Sequence, residues 1–199
     1  MLLGARQFFE RRGAPTPPLP YDAEVEYLQS TGTQYIVLGD VLMGKTFTVE
    51  GKWCPLETTN DRFIFGGGQH SNPLYSRTGV YGASNPFVLP GGESVDILQQ
   101  GAIYIHERVD REYVVFRSYA MSSDYIYLFA QEWGNVPAGK ITARLFYLRV
   151  SVNGEVSLDL TPVRFTNEQG VSEGAVYDRV SGALFRNAGT GAFLWAEKQ

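Results

Sequence analysis

Asn153-Gly154 stands between two runs of alternating apolar and polar residues, and no other feature of the sequence constrains the fold as much. Residues 145–152 and 155–160 follow the two-residue period of strands. Asn-Gly is the pair that most readily takes the two positive-φ positions of a tight hairpin turn. An antiparallel hairpin over residues 145–160 is therefore expected. The same grammar recurs along the chain. In Thr46-Phe47-Thr48-Val49-Glu50-Gly51-Lys52-Trp53, the residues Phe47, Val49 and Trp53 fall on one face and Thr48, Glu50 and Lys52 on the other. That is the pattern of a strand with one face buried. Residues 62–66 read as a short strand running into Gly66-Gly67-Gly68. Residues 113–116 and 125–129 are apolar on both faces, as in strands central to packed sheets. A second turn, Arg179-Val180-Ser181-Gly182, joins residues 175–177 to residues 183–185.

Composition supports this reading. The 199 residues include 22 Gly, 12 Tyr, 12 Phe and 3 Trp, a mixture that favours strands and tight turns. About a dozen short strands can be counted, at sandwich-like spacing. The expected fold is all-β: two antiparallel sheets packed face to face with a jelly-roll or related Greek-key connection. Residues 21–199 are expected to form that one domain. Residues 1–20 differ. Leu2, Ala5 and Phe9 share a stripe at helical spacing, flanked by Leu3 and Phe8 and followed by Arg11 and Arg12. Pro15, Pro17, Pro18 and Pro20 then impose a stiff, extended spacer. The segment reads as an anchoring arm; the competing reading is an unstructured tail.

The formal net charge of −4 argues against a nucleic-acid partner, which needs a basic face. Cys54 is the single cysteine, so no internal disulfide forms, and a buried thiol is the simpler reading. No apolar run is long enough to span a bilayer. Residues 1–4 are too short for a signal-peptide core, so if the protein leaves its cell, lysis or an assembly is the expected route.

Several segments resemble a known family. Residues 27–36, YLQSTGTQYI, resemble its opening "EYIESTGTQYI", which follows a Pro-rich leader as here. Residues 126–130, IYLFA, match one of its strands, and residues 143–150, ARLFYLRV, resemble another, "GRIYSCKI". Residues 159–164, DLTPVR, resemble "RDFVPCR". Residues 176–182, VYDRVSG, and 187–193, NAGTGAF, resemble the closing "GLYDLVTGKFYTNAGTGTF". The family is similar to concanavalin A-like lectins and laminin-G-like domains of gut bacteria, prophages and phages. The resemblance covers most of residues 21–195. It implies a concanavalin-type sandwich and a binding or structural role at a virion or bacterial surface, with no particular ligand. The motif residues make sense as scaffold. Gly32, Gly189 and Gly191 suit turns, while Asp178 and Asn187 can bond the backbone of their own loops.

Catalytic patterns are incomplete. A retaining glycoside hydrolase needs two carboxyls roughly 5 Å apart. The pairs Glu24 and Glu26, Glu93 and Asp96, and Asp110 and Glu112 do not complete the strand motif that such enzymes use. No serine stands in a nucleophile-elbow context, and Gly66-Gly67-Gly68 lacks the Lys-Ser/Thr of a phosphate loop. His70 and His106 belong to no metal-ligand cluster. Calcium on Asp40, Asp61, Asp124 or Asp178 is conceivable, as in laminin-G-like relatives, but no spacing indicates it. No cofactor and no enzymatic activity are expected.

A sugar site needs an aromatic platform and planar polar groups. Residues 69–85 have that make-up in His70, Asn72, Tyr75, Arg77, Tyr81 and Asn85, and Trp133 with Asn135 forms a second candidate in the loop 131–135. The alternative is that these aromatics cap the core. A third candidate face lies on the strand through residue 145. If Phe146, Leu148 and Val150 point inward, then Leu145, Tyr147 and Arg149 share an amphipathic outer face. Three functions follow: a lectin-like virion or surface component held in its assembly by the arm, a protein–protein cement module, or a glycan-degrading enzyme. The first is expected, with neighbouring subunits of an oligomer or larger assembly, and host-surface glycan, as partners.

Overall fold

The computed structural model describes residues 18–39, 47–56, 62–66, 74–76, 80–82, 85–87, 95–100, 103–108, 116–118, 125–133 and 136–199. The arm residues Leu2, Leu3, Phe8, Phe9, Arg11 and Arg12 lie outside them. So do residues 113–115 of one expected strand.

The described residues contain strands and no helix. In chain order they are β1 (Ala23–Thr31), β2 (Ile36–Gly39), β3 (Phe47–Pro55), β4 (Arg62–Gly66), β5 (Leu74–Ser76), β6 (Val80–Gly82), β7 (Asn85–Phe87), β8 (Val95–Gln100) and β9 (Ile103–Arg108). They continue with β10 (Phe116–Ser118), β11 (Ile126–Leu128), β12 (Gln131–Trp133), β13 (Val136–Ala138), β14 (Thr142–Val152), β15 (Glu155–Thr166), β16 (Ser172–Asp178), β17 (Leu184–Phe185) and β18 (Leu194–Glu197). A ten-stranded sheet runs β17-β16-β15-β1-β14-β3-β8-β9, with β10 on β3 and β18 on β1, and a four-stranded sheet runs β2-β11-β4-β5. All the pairings are antiparallel.

The two sheets share one core, which gives the molecule its β-sandwich character. Leu28, Leu145, Leu148, Val150 and Leu160 of the large sheet pack in one buried cluster with Ile36, Leu38, Phe65, Ile126 and Leu128 of the small one. Burial of such apolar surface is the main stabilising term for a fold like this. The strand β11 is buried on both faces and lies between β2 and β4, as its unbroken apolar run requires. It ends one residue earlier than the sequence suggests, because Phe129 turns to a φ of 62° while its ring stays buried 5.2 Å from that of Phe193.

The hairpin at Asn153-Gly154 forms as expected. Val152 faces Glu155 across the turn, and the two turn residues take φ values of 53° and 84°. The turn after β16 also forms, with Val176 opposite Phe185 and Tyr177 opposite Leu184.

One expectation is corrected. Leu145 is fully buried, together with Leu148 and Val150, and Phe146 is on the outer side. The register of β14 against β3 shifts between Leu145 and Tyr147. This bulge adds one residue to β14, so the alternation slips and Phe146 and Tyr147 are both left half-buried. The strands β1, β14 and β15 each pair with the other two. They do so over different stretches: β14 and β15 pair near their hairpin turn, and β1 pairs each of them farther along, Leu28 opposite Leu145 and Ala23 opposite Arg164. A further shift at Val25/Tyr27 falls beside the bulge at Phe146, and another at Val150/Ser151 lies nearer the hairpin turn.

Candidate functional site

The bulge creates the most distinctive solvent-side feature among the described residues. Tyr27 of β1 and Phe146 of β14 meet edge to face, with ring centroids 5.8 Å apart. The Arg144 guanidinium lies over Tyr27 at 4.5 Å, and the Lys52 ammonium lies over Phe146 at 5.0 Å. Arg144 Nε donates to Gln29 Oε1 at 2.8 Å, which fixes the guanidinium plane. All five side chains are half-buried. They come from β1, β14 and β3, the middle of the large sheet, and form a strip of alternating charge and ring. Cation–ring contacts of this kind are worth about 0.5–1 kcal/mol each at partly exposed sites. Alongside the strip, Arg149 reaches Glu50 at 3.8 Å and Asp159 at 3.4 Å.

The residues singled out in the sequence are placed differently. Tyr75 lies on β5 opposite Phe63, at one end of the small sheet. Tyr81 and Asn85 lie on the separate β6–β7 hairpin, opposite Pro86 and Gly82. Trp133 ends β12, opposite Val136 of β13, so residues 131–133 are a strand where a loop was expected. These four therefore sit on three different sheets. His70, Asn72, Arg77 and Asn135 lie outside the described residues. The strip was not foreseen: the alternation of residues 145–150 set Phe146 inward and made Leu145, Tyr147 and Arg149 the outer face, whereas Leu145 is buried; Tyr27, Gln29 and Lys52 carried no signal for it, because their proximity depends on pairing distant strands.

The motif residues act as scaffold. The buried Asp178 carboxylate accepts the N–H groups of Asp159 (2.8 Å), Val180 and Ser181 (both 3.1 Å) and the Ser181 hydroxyl (2.6 Å). Asn187 Oδ1 accepts from Gly189 N–H at 2.8 Å, and its Nδ2 donates to the Gly191 carbonyl at 2.7 Å. Buried Gln34 accepts from Thr31 N–H at 2.8 Å and donates to the Ala192 carbonyl at 3.0 Å. The opening motif and the closing motif are thus bonded into one clasp.

The carboxylates weighed as catalytic pairs are also accounted for where described. Glu24 is bonded to Arg179 at 2.6 Å and to Lys198 at 2.5 Å. These bonds, Lys198 first, hold its carboxyl below the usual range, and the same contact raises Arg179. Burial, aided by Glu24, pushes the nearby Tyr21 phenol up. Glu26 is exposed on β1, and Asp96 lies on β8 opposite Lys52. Glu93, Asp110 and Glu112 lie outside the described residues. Among the described residues no three His, Cys, Asp or Glu side chains cluster as a metal site, and no helix is long and apolar enough to cross a membrane. Of the calcium candidates, Asp178 is committed to its turn, and Asp40, Asp61 and Asp124 lie outside the described residues.

No protein-family model matches the chain, and neither a characterised protein nor a solved structure matches it.

Proposed function

We propose that this chain is a non-catalytic binding module: a jelly-roll sandwich of the concanavalin A-like type, set in a phage or prophage virion or on a bacterial surface, whose large sheet contacts host-surface glycan. The observation that carries the reading is the strip Arg144–Tyr27–Phe146–Lys52 with Gln29 beside it. A sugar offers an apolar face ringed by hydroxyls, and it is met by aromatic and aliphatic surface interleaved with planar hydrogen-bonding groups. The strip has both, on three strands paired in one sheet. The likeness of the end motifs to virion and surface proteins supports the setting, and residues 1–20 are assigned to anchoring in the assembly.

A glycan array probed with the full chain, Tyr27→Ala, Phe146→Ala and Trp133→Ala tests the reading. The expected result is glycan binding that falls about tenfold or more with either strip substitution, the loss of one buried contact of about 1.4 kcal/mol or more, and that survives Trp133→Ala. Binding that depends on Trp133 and ignores Tyr27 would move the site elsewhere. A chain that binds no glycan would be a protein–protein cement module.

A further inference from the structure

Resting on that reading of the large sheet, we propose its ligand class: the strip binds the carboxylates of an acidic polysaccharide, a chain of uronic acids, with Arg144 as the principal anchor and Lys52 as the second. The register places Arg144 opposite Cys54 of β3, two residues from Lys52 on the same strand. Positions two apart on a strand share a face, so the two cations are diagonal cross-strand neighbours, with side chains roughly 7–8 Å apart at their bases. A repeating polyanion can engage both at once.

Each cation is held before any ligand arrives. The Arg144 guanidinium is laid on Tyr27 and the Lys52 ammonium on Phe146, so less side-chain freedom remains to be lost on binding. The Nε bond to Gln29 uses one edge of the Arg144 guanidinium. Its terminal nitrogens form the planar fork that carboxylates take in two parallel hydrogen bonds. Two acids beside the strip, Glu50 and Asp159, both pair with Arg149, while Glu26, next to Tyr27 on β1, is exposed. The register also sets Asp96 of β8 across from Lys52. A guanidinium takes a carboxylate in two parallel hydrogen bonds where an ammonium acts as a point charge, so ligand carboxylates favour the Arg144 end. The half-buried Tyr27 and Phe146 rings offer the apolar contact that a pyranose face takes and an acidic peptide uses less.

Calorimetric titration of the full chain with polygalacturonate, dextran, dextran sulfate and polyglutamate tests the assignment, with thermal melts confirming that each variant is folded. Polygalacturonate is expected to bind most tightly and to weaken as salt is added. Arg144→Gln lowers its affinity about tenfold or more, as expected for a charge-assisted hydrogen bond. Lys52→Gln lowers it less, Arg144→Lys falls between wild type and Arg144→Gln, and the exposed Arg186→Gln, off the strip, leaves it unchanged. Dextran bound as tightly as polygalacturonate overturns the acidic assignment and leaves glycan contact standing. Dextran sulfate or polyglutamate bound as tightly overturns it in favour of general polyanion binding. Unchanged affinity in Arg144→Gln overturns the site. Failure of every polysaccharide, here and on the array, overturns both this assignment and the glycan reading beneath it.

Discussion

Thr33 and Thr190 bond each other twice: the Thr33 hydroxyl donates to the Thr190 carbonyl at 2.8 Å, and the Thr190 N–H donates to the Thr33 carbonyl at 3.3 Å. The two residues are 157 positions apart. They tie the loop before β2 to the loop before β18, while Ala188 N–H adds a bond to the Tyr35 carbonyl at 2.9 Å. The ends of the domain are therefore joined by two backbone–backbone bonds and one from the Thr33 hydroxyl, all of which need the two chain segments to approach closely.

Gly189 permits that approach. A Cβ there would meet the Thr33 carbonyl oxygen at 2.3 Å and the Gln34 Cα at 3.0 Å, both of them backbone. Gly189→Ala is expected to destabilise the fold by roughly 2–4 kcal/mol, since neither neighbour can move without breaking the clasp. Gly154→Ala meets nothing within 4 Å but keeps a φ of +84°, and should cost about 1–2 kcal/mol from backbone strain alone. Urea unfolding of the two variants side by side checks the order; a milder effect for Gly189→Ala would contradict the close-approach argument.

Asp178 joins two elements with one side chain. Its carboxylate serves the turn at Val180 and Ser181 and also the Asp159 N–H of β15. Asp178→Ala leaves these donors without their acceptor in a buried position, and a loss of about 3 kcal/mol or more is expected. Asp178→Asn keeps part of the acceptor set and should lie between. Equilibrium denaturation gives both values. Equal stability of Asp178→Ala and wild type would mean that water replaces the carboxylate.

Glu24 makes the stability sensitive to acid. Its pKa is lowered in the folded chain by Lys198 and Arg179. A depressed carboxylate contributes stability that is fully present above its unfolded value, near 4.5, and is lost as the pH falls through the folded value. The wild type should therefore lose more stability between neutral pH and pH 3 than Glu24→Gln does. At neutral pH that variant should be weaker by about 0.5–1 kcal/mol, the scale of a partly exposed ion pair. Thermal melts across this range decide it; parallel pH profiles would remove Glu24 from the account.

The hairpin turn offers a local test. Asn153 holds a φ of 53° beside Gly154, a conformation that asparagine tolerates better than most residues. Asn153→Val should cost about 1–2 kcal/mol, and Asn153→Gly should be close to neutral. Differential scanning calorimetry separates the two; equal melting temperatures would contradict the assigned turn.

The sequence by itself determined whatever depends on a few adjacent residues. The period of two in residues 47–53 and 145–160 set those strands, and Asn153-Gly154 set a turn that its own backbone preferences enforce. The doubly apolar run at residues 126–128 set a strand with neighbours on both sides. Asp178 and Asn187 could be assigned to their loops because their partners lie within a few residues. Only the tertiary structure decided the rest. The bulge at Phe146 reverses the inward and outward sides of residues 145 and 146. A bulge is a mismatch between two strands, so one strand's sequence does not contain it. Tyr27, Lys52, Arg144 and Phe146 come from three strands far apart in the chain, and their rings and charges meet only because β14 pairs with both β1 and β3. Cross-strand contact depends on register, and register is settled by burying the shared core of both sheets, a property of the whole fold and of no single segment.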